Sequence, residues 1–278
     1  MLEFPSAESA VIQGDQVVLQ DVRGEEIAMV FQDPMTSLNP VYRVGDQIVE
    51  MIQAHRDVPD EEAKGRAVEL LRSVGIPNPD RRVNDYPHEF SGGMRQRALI
   101  AMGLALEPEV LIADEPTTAL DVTIQAQILQ LIERLNRDRG LAVVLITHDL
   151  GVVAEGADRV VVMYAGQIVE QGTLDEIFYD PQHPYTWGLL GSLTRLDQPR
   201  PERLPQIAGQ PPSLLSPPSG CRFAPRCPHA FEKCAEQPPL EARVRAKQHL
   251  DRCWLTPKQK KELRTVGDRI GLEAPVSA

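Results

Sequence analysis

The 278-residue sequence lacks the usual cradle for a triphosphate: none of its 19 glycines is followed by lysine, so no G-x-x-x-x-G-K-[ST] loop occurs. It lacks a strongly basic segment too. With Lys+Arg 29 against Asp+Glu 40, a net charge of -11 and a pI near 5.1, it has no electrostatic footprint for nucleic acid held through phosphates. The opening MLEFPSAESAVIQGD has no basic-then-apolar order of a secretion signal, and no apolar run approaches bilayer length, which predicts a cytoplasmic chain. Cysteine is absent outside 221–253, where all four fall; in a reducing compartment such a group points to a metal or cluster more than to disulfides. There is no internal repeat. What remains is ordinary globular composition, 42% apolar and 25% charged, in a chain long enough for one large domain or one domain plus an appendage.

Three short apolar runs, VLIA (110–113), AVVLI (142–146) and RVVVMY (159–164), read as buried strands because they are β-branched and bounded by charged or turn residues. Between the first two, Ile124, Ile128, Leu131, Ile132 and Leu135 follow the 3.6 period of a helix, with Asp121 as N-cap and Gly140 beyond its end. Strand, helix and strand in that order predict a parallel crossover and an α/β fold. Residues 41–108 read mostly as helices, VGDQIVEMIQAH and DEEAKGRAVELLRSVG among them, and form a helical subdomain inserted into the sheet order. Beyond Gly172 come a short helix, the stretch QHPYTWGLLGSL and a segment from Pro199 to Pro218 whose seven prolines predict an extended connector. A small cysteine module follows, then a charged helical tail with a disordered end.

The densest chemistry is in VLIADEPTTALD. An apolar strand ending in Asp114-Glu115 sets two carboxylates at the C-terminal edge of a parallel sheet, where α/β folds bind ligands. Asp114 is placed to hold Mg²⁺ through water, and Glu115 to orient and deprotonate an attacking water in phosphoryl transfer. For an isolated acidic pair, solvated carboxylates at a strand end are the simpler explanation; the flanking apolar run and PTTALD favour function. His148 ends the next strand, so its imidazole should reach the same edge. Gln32, ending EIAMVFQ, is a third polar group at a strand end, and alone it says little. The stretch FSGGMRQRALIAMG opens a helix with Ser91-Gly92-Gly93, leaving unpaired N–H groups and the positive dipole end open to an anion.

Taken in order, Gln32, Ser91-Gly92-Gly93, Asp114-Glu115, Asp121 and His148 resemble the Q-loop, signature, Walker B, D-loop and switch histidine of an ABC-transporter ATPase subunit, over about residues 1 to 175. The resemblance implies a parallel-sheet P-loop NTPase core, with ATP and Mg²⁺ as cofactors. It also implies two subunits stacked head to tail, each ATP lying between the phosphate loop of one and the signature of the other. Ser91, Gly92 and Gly93 then grip the γ-phosphate of ATP held by the opposite subunit. MVFQDPMTSLNP, EFSGGMRQR, QHPYT (182–186) and the tail PPSGCRFAPRCP…KC…CW are further similar to the oligopeptide and dipeptide importer ATPases. On that pattern residues 1–180 form a partial ATPase domain containing the 41–108 helical subdomain, 181–257 the importer-type C-terminal region with its cysteine cluster, and 258–278 a charged tail.

The same resemblance implies peptide import powered from the cytoplasmic face of the membrane. The expected partners are a second ATPase subunit, two membrane permease subunits and, indirectly, an extracytoplasmic solute-binding protein, with no nucleic acid. In the family a strand, the Gly-Lys loop and its helix precede the region that begins here, so Met1 is expected to be an internal methionine or the product of a truncated gene, and the isolated chain to be poorly stable. The alternative is an incomplete interaction subunit that lends only its signature to a partner. A soluble ABC ATPase of DNA repair is disfavoured by the acidic balance.

Cys221, Cys227, Cys234 and Cys253 are separated by five, six and eighteen residues, without the C-x2-C or C-x4-C pairs of zinc ribbons and knuckles. Four thiolates on an irregular loop can wrap a 4Fe-4S cube, as the resemblance also implies; zinc and four unliganded cysteines are the alternatives. The group would act as a structural cross-link, since so short a module has few large apolar side chains. Arg222, Arg226 and Arg252 either offset the charge of such a group or lie on a solvated surface.

Overall fold

The computed structural model describes residues 11–13, 16–18, 22–192, 206–242 and 248–267, with side chains over 22–192, 206–242 and 248–264. The expectations for the first residues, for 199–205 of the connector and for the end of the tail lie outside the described residues. The chain divides into two compact units, 1–148 and 149–278.

The first unit starts with a hairpin of β1 (Val11–Gln13) and β2 (Gln16–Val18). Its main sheet is parallel, with β3 (Ile27–Val30), β4 (Val110–Asp114) and β5 (Ala142–Ile146) side by side in that order. Between β3 and β4 run α1 (Pro34–Ser37), α2 (Val44–His55), α3 (Asp60–Ser73), α4 (Pro79–Arg82) and α5 (Gly92–Gly103); α6 (Val122–Arg139) joins β4 to β5. The α6 boundaries follow from its caps: Asp121 Oδ1 accepts from the Ile124 N–H at 3.0 Å, and Gly140 takes the left-handed φ of 66° that ends the helix. Its apolar stripe of Ile128, Leu131, Ile132 and Leu135 is buried, each side chain worth about 1.5–3 kcal/mol of transfer from water. Helix α5 touches α1, α2, α3, α6 and β3, which explains why it is apolar on several sides rather than along one stripe.

Side chains alternate between the two faces of a strand, and here only one face is packed. Ala28, Val30, Leu111 and Ala113 join the core, while Met29, Val144 and Ile146 on the opposite face are 40%, 42% and 45% exposed. The AVVLI run is therefore a half-exposed edge strand among the described residues, not a buried one.

The second unit is antiparallel. After α7 (Leu150–Gly156) come β6 (Arg159–Tyr164), β7 (Gln167–Thr173), α8 (Leu174–Tyr179) and α9 (Pro184–Gly191). Two 3-10 turns (Ala224–Arg226 and Glu232–Ala235), β8 (Glu241–Ala242), β9 (Leu250–Asp251) and α10 (Pro257–Gly267) complete it. The strand order is β6-β7-β9-β8. RVVVMY is again not buried throughout: Val160, Val162 and Tyr164 face the core, and Val161 and Met163 are exposed, because β6 is the edge of a sheet with one packed face. Glu170 pairs with Asp251 and Gln171 with Leu250, so the 159–173 hairpin and the segment after the cysteines share one sheet. That pairing places residues 167–173 in the same unit, 149–278, as the segment after the cysteines.

The three arginines near the cysteines hydrogen-bond backbone carbonyls. Arg222 donates to the Ala165 carbonyl, Arg252 to the Ile168 and Pro238 carbonyls at 2.9 and 3.0 Å, and Arg226 to the Ala208 and Ile207 carbonyls at 2.9 and 2.8 Å. Arg222 and Arg252 tie the segments beside the cysteines to the β6–β7 hairpin, and Arg226 ties its segment to residues 207 and 208.

Candidate functional site at the strand ends

In parallel strands the carboxyl ends line up, and the register does this here: Val30, Ala113 and Leu145 are neighbours across β3, β4 and β5, as are Asp114 and Ile146. The chain just beyond carries the polar residues. Glu115 extends the ladder by one bond, its N–H donating to the Ile146 carbonyl at 2.9 Å, and then turns with a left-handed φ of 44°.

This geometry brings three expected residues together. Gln32 Nε2 donates to Glu115 Oε2 at 2.6 Å, and His148 Nδ1 lies 2.9 Å from Oε1. A carboxylate only accepts, so Nδ1 carries the proton. A fourth group went unnoticed in the sequence: Thr118 Oγ1 donates to Oε2 at 2.9 Å. The hydrogen bond from His148, then those from Thr118 and Gln32, hold the Glu115 carboxyl below the usual carboxylate range. The site is open, with the His148 side chain 74% exposed and that of Glu115 23%. Asp114 occupies the last position of β4, opposite Ile146 and outside this hydrogen-bonded set. Two adjacent carboxylates, an imidazole and an amide at one sheet edge can bind a hydrated divalent cation and activate a water.

The remaining expected residues lie at two helix starts. Ser91 is the N-cap of α5, its hydroxyl accepting from the Met94 N–H at 3.3 Å. The two glycines differ. A Cβ on Gly93 would stand 2.6 Å from Ile124 Cγ2, so packing against α6 demands a glycine there. A Cβ on Gly92 would meet Leu120 Cδ2 at 3.6 Å, an ordinary contact, so nothing in this chain requires Gly92 to lack a side chain. Asp121 caps α6 beside them, between Leu120 and Ile124 in the chain.

In the second unit Cys221, Cys227, Cys234 and Cys253 line one pocket with Phe223, Phe231 and Trp254, and none is in a disulfide. Burial pushes the Cys221 thiol up, the Cys227 thiol up to about 11 and the Cys253 thiol up to about 12. Backbone N–H groups nevertheless point at the sulfurs: Phe223 and Ala224 at Cys221, His229 at Cys227, and Leu255 at Cys253 at 3.5 Å. Among the described residues no group of three or more His, Cys, Asp or Glu side chains is arranged to hold a metal ion.

Behind this pocket lies a buried polar set that the sequence did not announce. Glu170, fully buried, accepts from the Gln182 and His183 N–H groups at 2.5 and 2.9 Å and from His249 Nε2 at 2.8 Å. This is what fixes the QHP turn. His183 Nδ1 accepts from the Tyr185 N–H at 3.1 Å; burial and the nearby Lys260 ammonium push its pKa down to about 3, so it is neutral. Lys260 itself, on the expected charged tail, is buried and paired with Asp251 at 2.6 Å.

Residues 2–118 match the family described as ABC transporter, and residues 169–234 match the oligopeptide/dipeptide transporter C-terminal region. The oligopeptide transport ATP-binding protein OppD of Bacillus subtilis (strain 168) is 59% identical over 237 residues, 85% of this chain and 66% of that protein. The dipeptide transport ATP-binding protein DppD of the same organism is 54% identical over 237 residues, 85% of this chain and 70% of that protein. The chain spans about two thirds of the length of these relatives. Among solved structures, the dimeric ATP-binding cassette MJ0796 bound to ADP and Pi aligns with a TM-score of 0.50 and 32% identity, over 56% of this chain and 66% of that one. With the parallel sheet, the converging strand ends and these likenesses, the chain belongs to the ABC-type ATPases, among the ATP-binding proteins of the oligopeptide and dipeptide transporters.

Proposed function

We propose that this chain couples ATP hydrolysis to peptide import as a peripheral subunit on the cytoplasmic face of the membrane. Asp114 holds Mg²⁺ through water, and Glu115 takes the proton of the attacking water. His148 contacts the γ-phosphate, and Gln32 links the site to a membrane subunit. A second ATPase subunit sits head to tail, so that Ser91, Gly92 and Gly93 meet its triphosphate beside Asp121. The carrying observation is the meeting of Gln32, Glu115 and His148 on one carboxylate at the sheet edge. A Cβ on Gly92 would make only an ordinary contact with Leu120, so packing within the chain does not explain the glycine, and close approach of a partner's phosphate would, which supports the signature role. Replacing Glu115 by Gln in the assembled transporter should cut phosphate release by about 10²–10⁴-fold while ATP still binds; release at the wild-type rate overturns the assignment.

For the cysteine pocket we propose a polynuclear, thiolate-bound group. In a cube each cysteine takes its own iron, and four cysteines line this one pocket. Cys221, Cys227, Cys234 and Cys253 would hold a 4Fe-4S cluster, and the N–H groups aimed at the sulfurs would stabilise the thiolates. The cluster would supply cross-links to a module with little apolar core. Iron and an absorption band near about 400 nm after anaerobic purification are expected; a colourless protein with stoichiometric zinc overturns it.

A further inference from the structure

Three donors crowd the Glu115 carboxylate, and they are not equivalent. Gln32 and His148 reach it from the ends of β3 and β5, 83 and 33 residues away in sequence. Thr118 belongs to the same turn and binds Glu115 twice: its N–H donates to the Glu115 carbonyl at 3.1 Å and its hydroxyl to Oε2 at 2.9 Å. The turn needs such support. Glu115 and Ala119 both have left-handed φ values, 44° and 62°, which cost side-chain-bearing residues about 1–2 kcal/mol each.

With Oε2 shared by Gln32 and Thr118 and Oε1 bonded to His148, three of the roughly four acceptor sites of the carboxylate are in use, which leaves about one, on Oε1, for a water. Gln32 and His148 sit on separate strand ends, so movement of either strand loosens its bond, whereas Thr118 lies in the turn that carries Glu115 and moves with it.

We infer that Thr118 is a positioning residue for the hydrolytic reaction: its hydroxyl fixes the Glu115 side chain while Gln32 and His148 exchange their bonds for water and phosphate. The inference rests on the assignment of Glu115 as the base. Thr118 is exposed, so removing its hydroxyl leaves the core untouched, and its N–H bond to the Glu115 carbonyl survives substitution.

The test compares wild type, Thr118→Val, Thr118→Ser and Glu115→Gln in the assembled transporter, measuring steady-state ATP hydrolysis and ATP affinity. A misplaced base costs rate rather than binding, so Thr118→Val should lower kcat about tenfold with KM for ATP within about twofold of wild type. Thr118→Ser, which keeps the oxygen, should restore kcat to within about twofold. An unchanged kcat in Thr118→Val, or an equal loss in Thr118→Ser, overturns the inference. If Glu115→Gln is inactive while Thr118→Val is not impaired, the positioning role alone fails. If Glu115→Gln hydrolyses at the wild-type rate, the assignment of the base fails and the positioning role falls with it.

Discussion

The two units of this chain handle charge in opposite ways. In residues 1–148 the interior is a single apolar cluster running from Ala28 to Leu141, and the groups suited to chemistry stand at its rim: Gln32, Glu115 and His148 are at strand ends, with His148 mostly exposed. In residues 149–278 the apolar clusters are smaller, and Glu170, His249, Asp251 and Lys260 are all buried among them. A core with enough aliphatic volume can leave its ionisable residues outside, free to meet a ligand. A module short of that volume fills its interior with ion pairs and thiols, which specify one arrangement but are unforgiving when a partner is lost.

The contrast is most sharply broken at Lys260. Lys260→Met leaves the buried Asp251 without its cation and should destabilise the second unit by about 3–5 kcal/mol, and adding Asp251→Asn should recover much of that. Both tryptophans, Trp187 and Trp254, lie in this unit, so their fluorescence during urea unfolding reports it selectively. No recovery in the double variant would mean that packing, not charge, governs the site.

A smaller effect separates structure from function in the first unit. Gly93→Ala should cost about 1–3 kcal/mol by driving a methyl into Ile124, whereas Gly92→Ala should change stability by no more than about 0.5 kcal/mol. Denaturant titration checks the difference. Gly92→Ala should still lose hydrolysis if the signature faces a partner's phosphate.

The smallest effect is a pH dependence confined to the second unit. Burial works against the charged form of His249, but the hydrogen bond and charge of Glu170, with Glu176 and Asp180 behind it, raise its pKa above 6.5. A raised folded-state pKa gives stability that is complete below about pH 6.5 and is lost as pH rises through the folded value. The tryptophan-detected melting temperature should therefore fall as pH rises above about 6.5, and His249→Gln should flatten that slope.

The same contrast decides what could be read without coordinates. In the first unit α6 was legible because its apolar residues repeat at 3.6 and its caps are Asp121 and Gly140. The Glu115–His148 contact was legible because adjacent parallel strands align their ends. Thr118 was not, since a hydroxyl three residues along a turn looks like any other turn threonine. In the second unit, five consecutive apolar residues in RVVVMY concealed which face of β6 was inward. The arginine clamps depend on carbonyls far away in sequence, 57 residues for Arg222 and 84 for Arg252. Nor does the string PKQKKEL reveal which lysine is buried, because that choice is made by Asp251.

The pairing of β7 with β9 has a consequence for synthesis. His249 follows Glu170 by 79 residues, so a ribosome adding about 5–20 residues per second exposes β7 some 4–16 s before β9 exists. During that interval the nascent chain carries an open strand edge and a carboxylate whose neutralising imidazole has not yet been made.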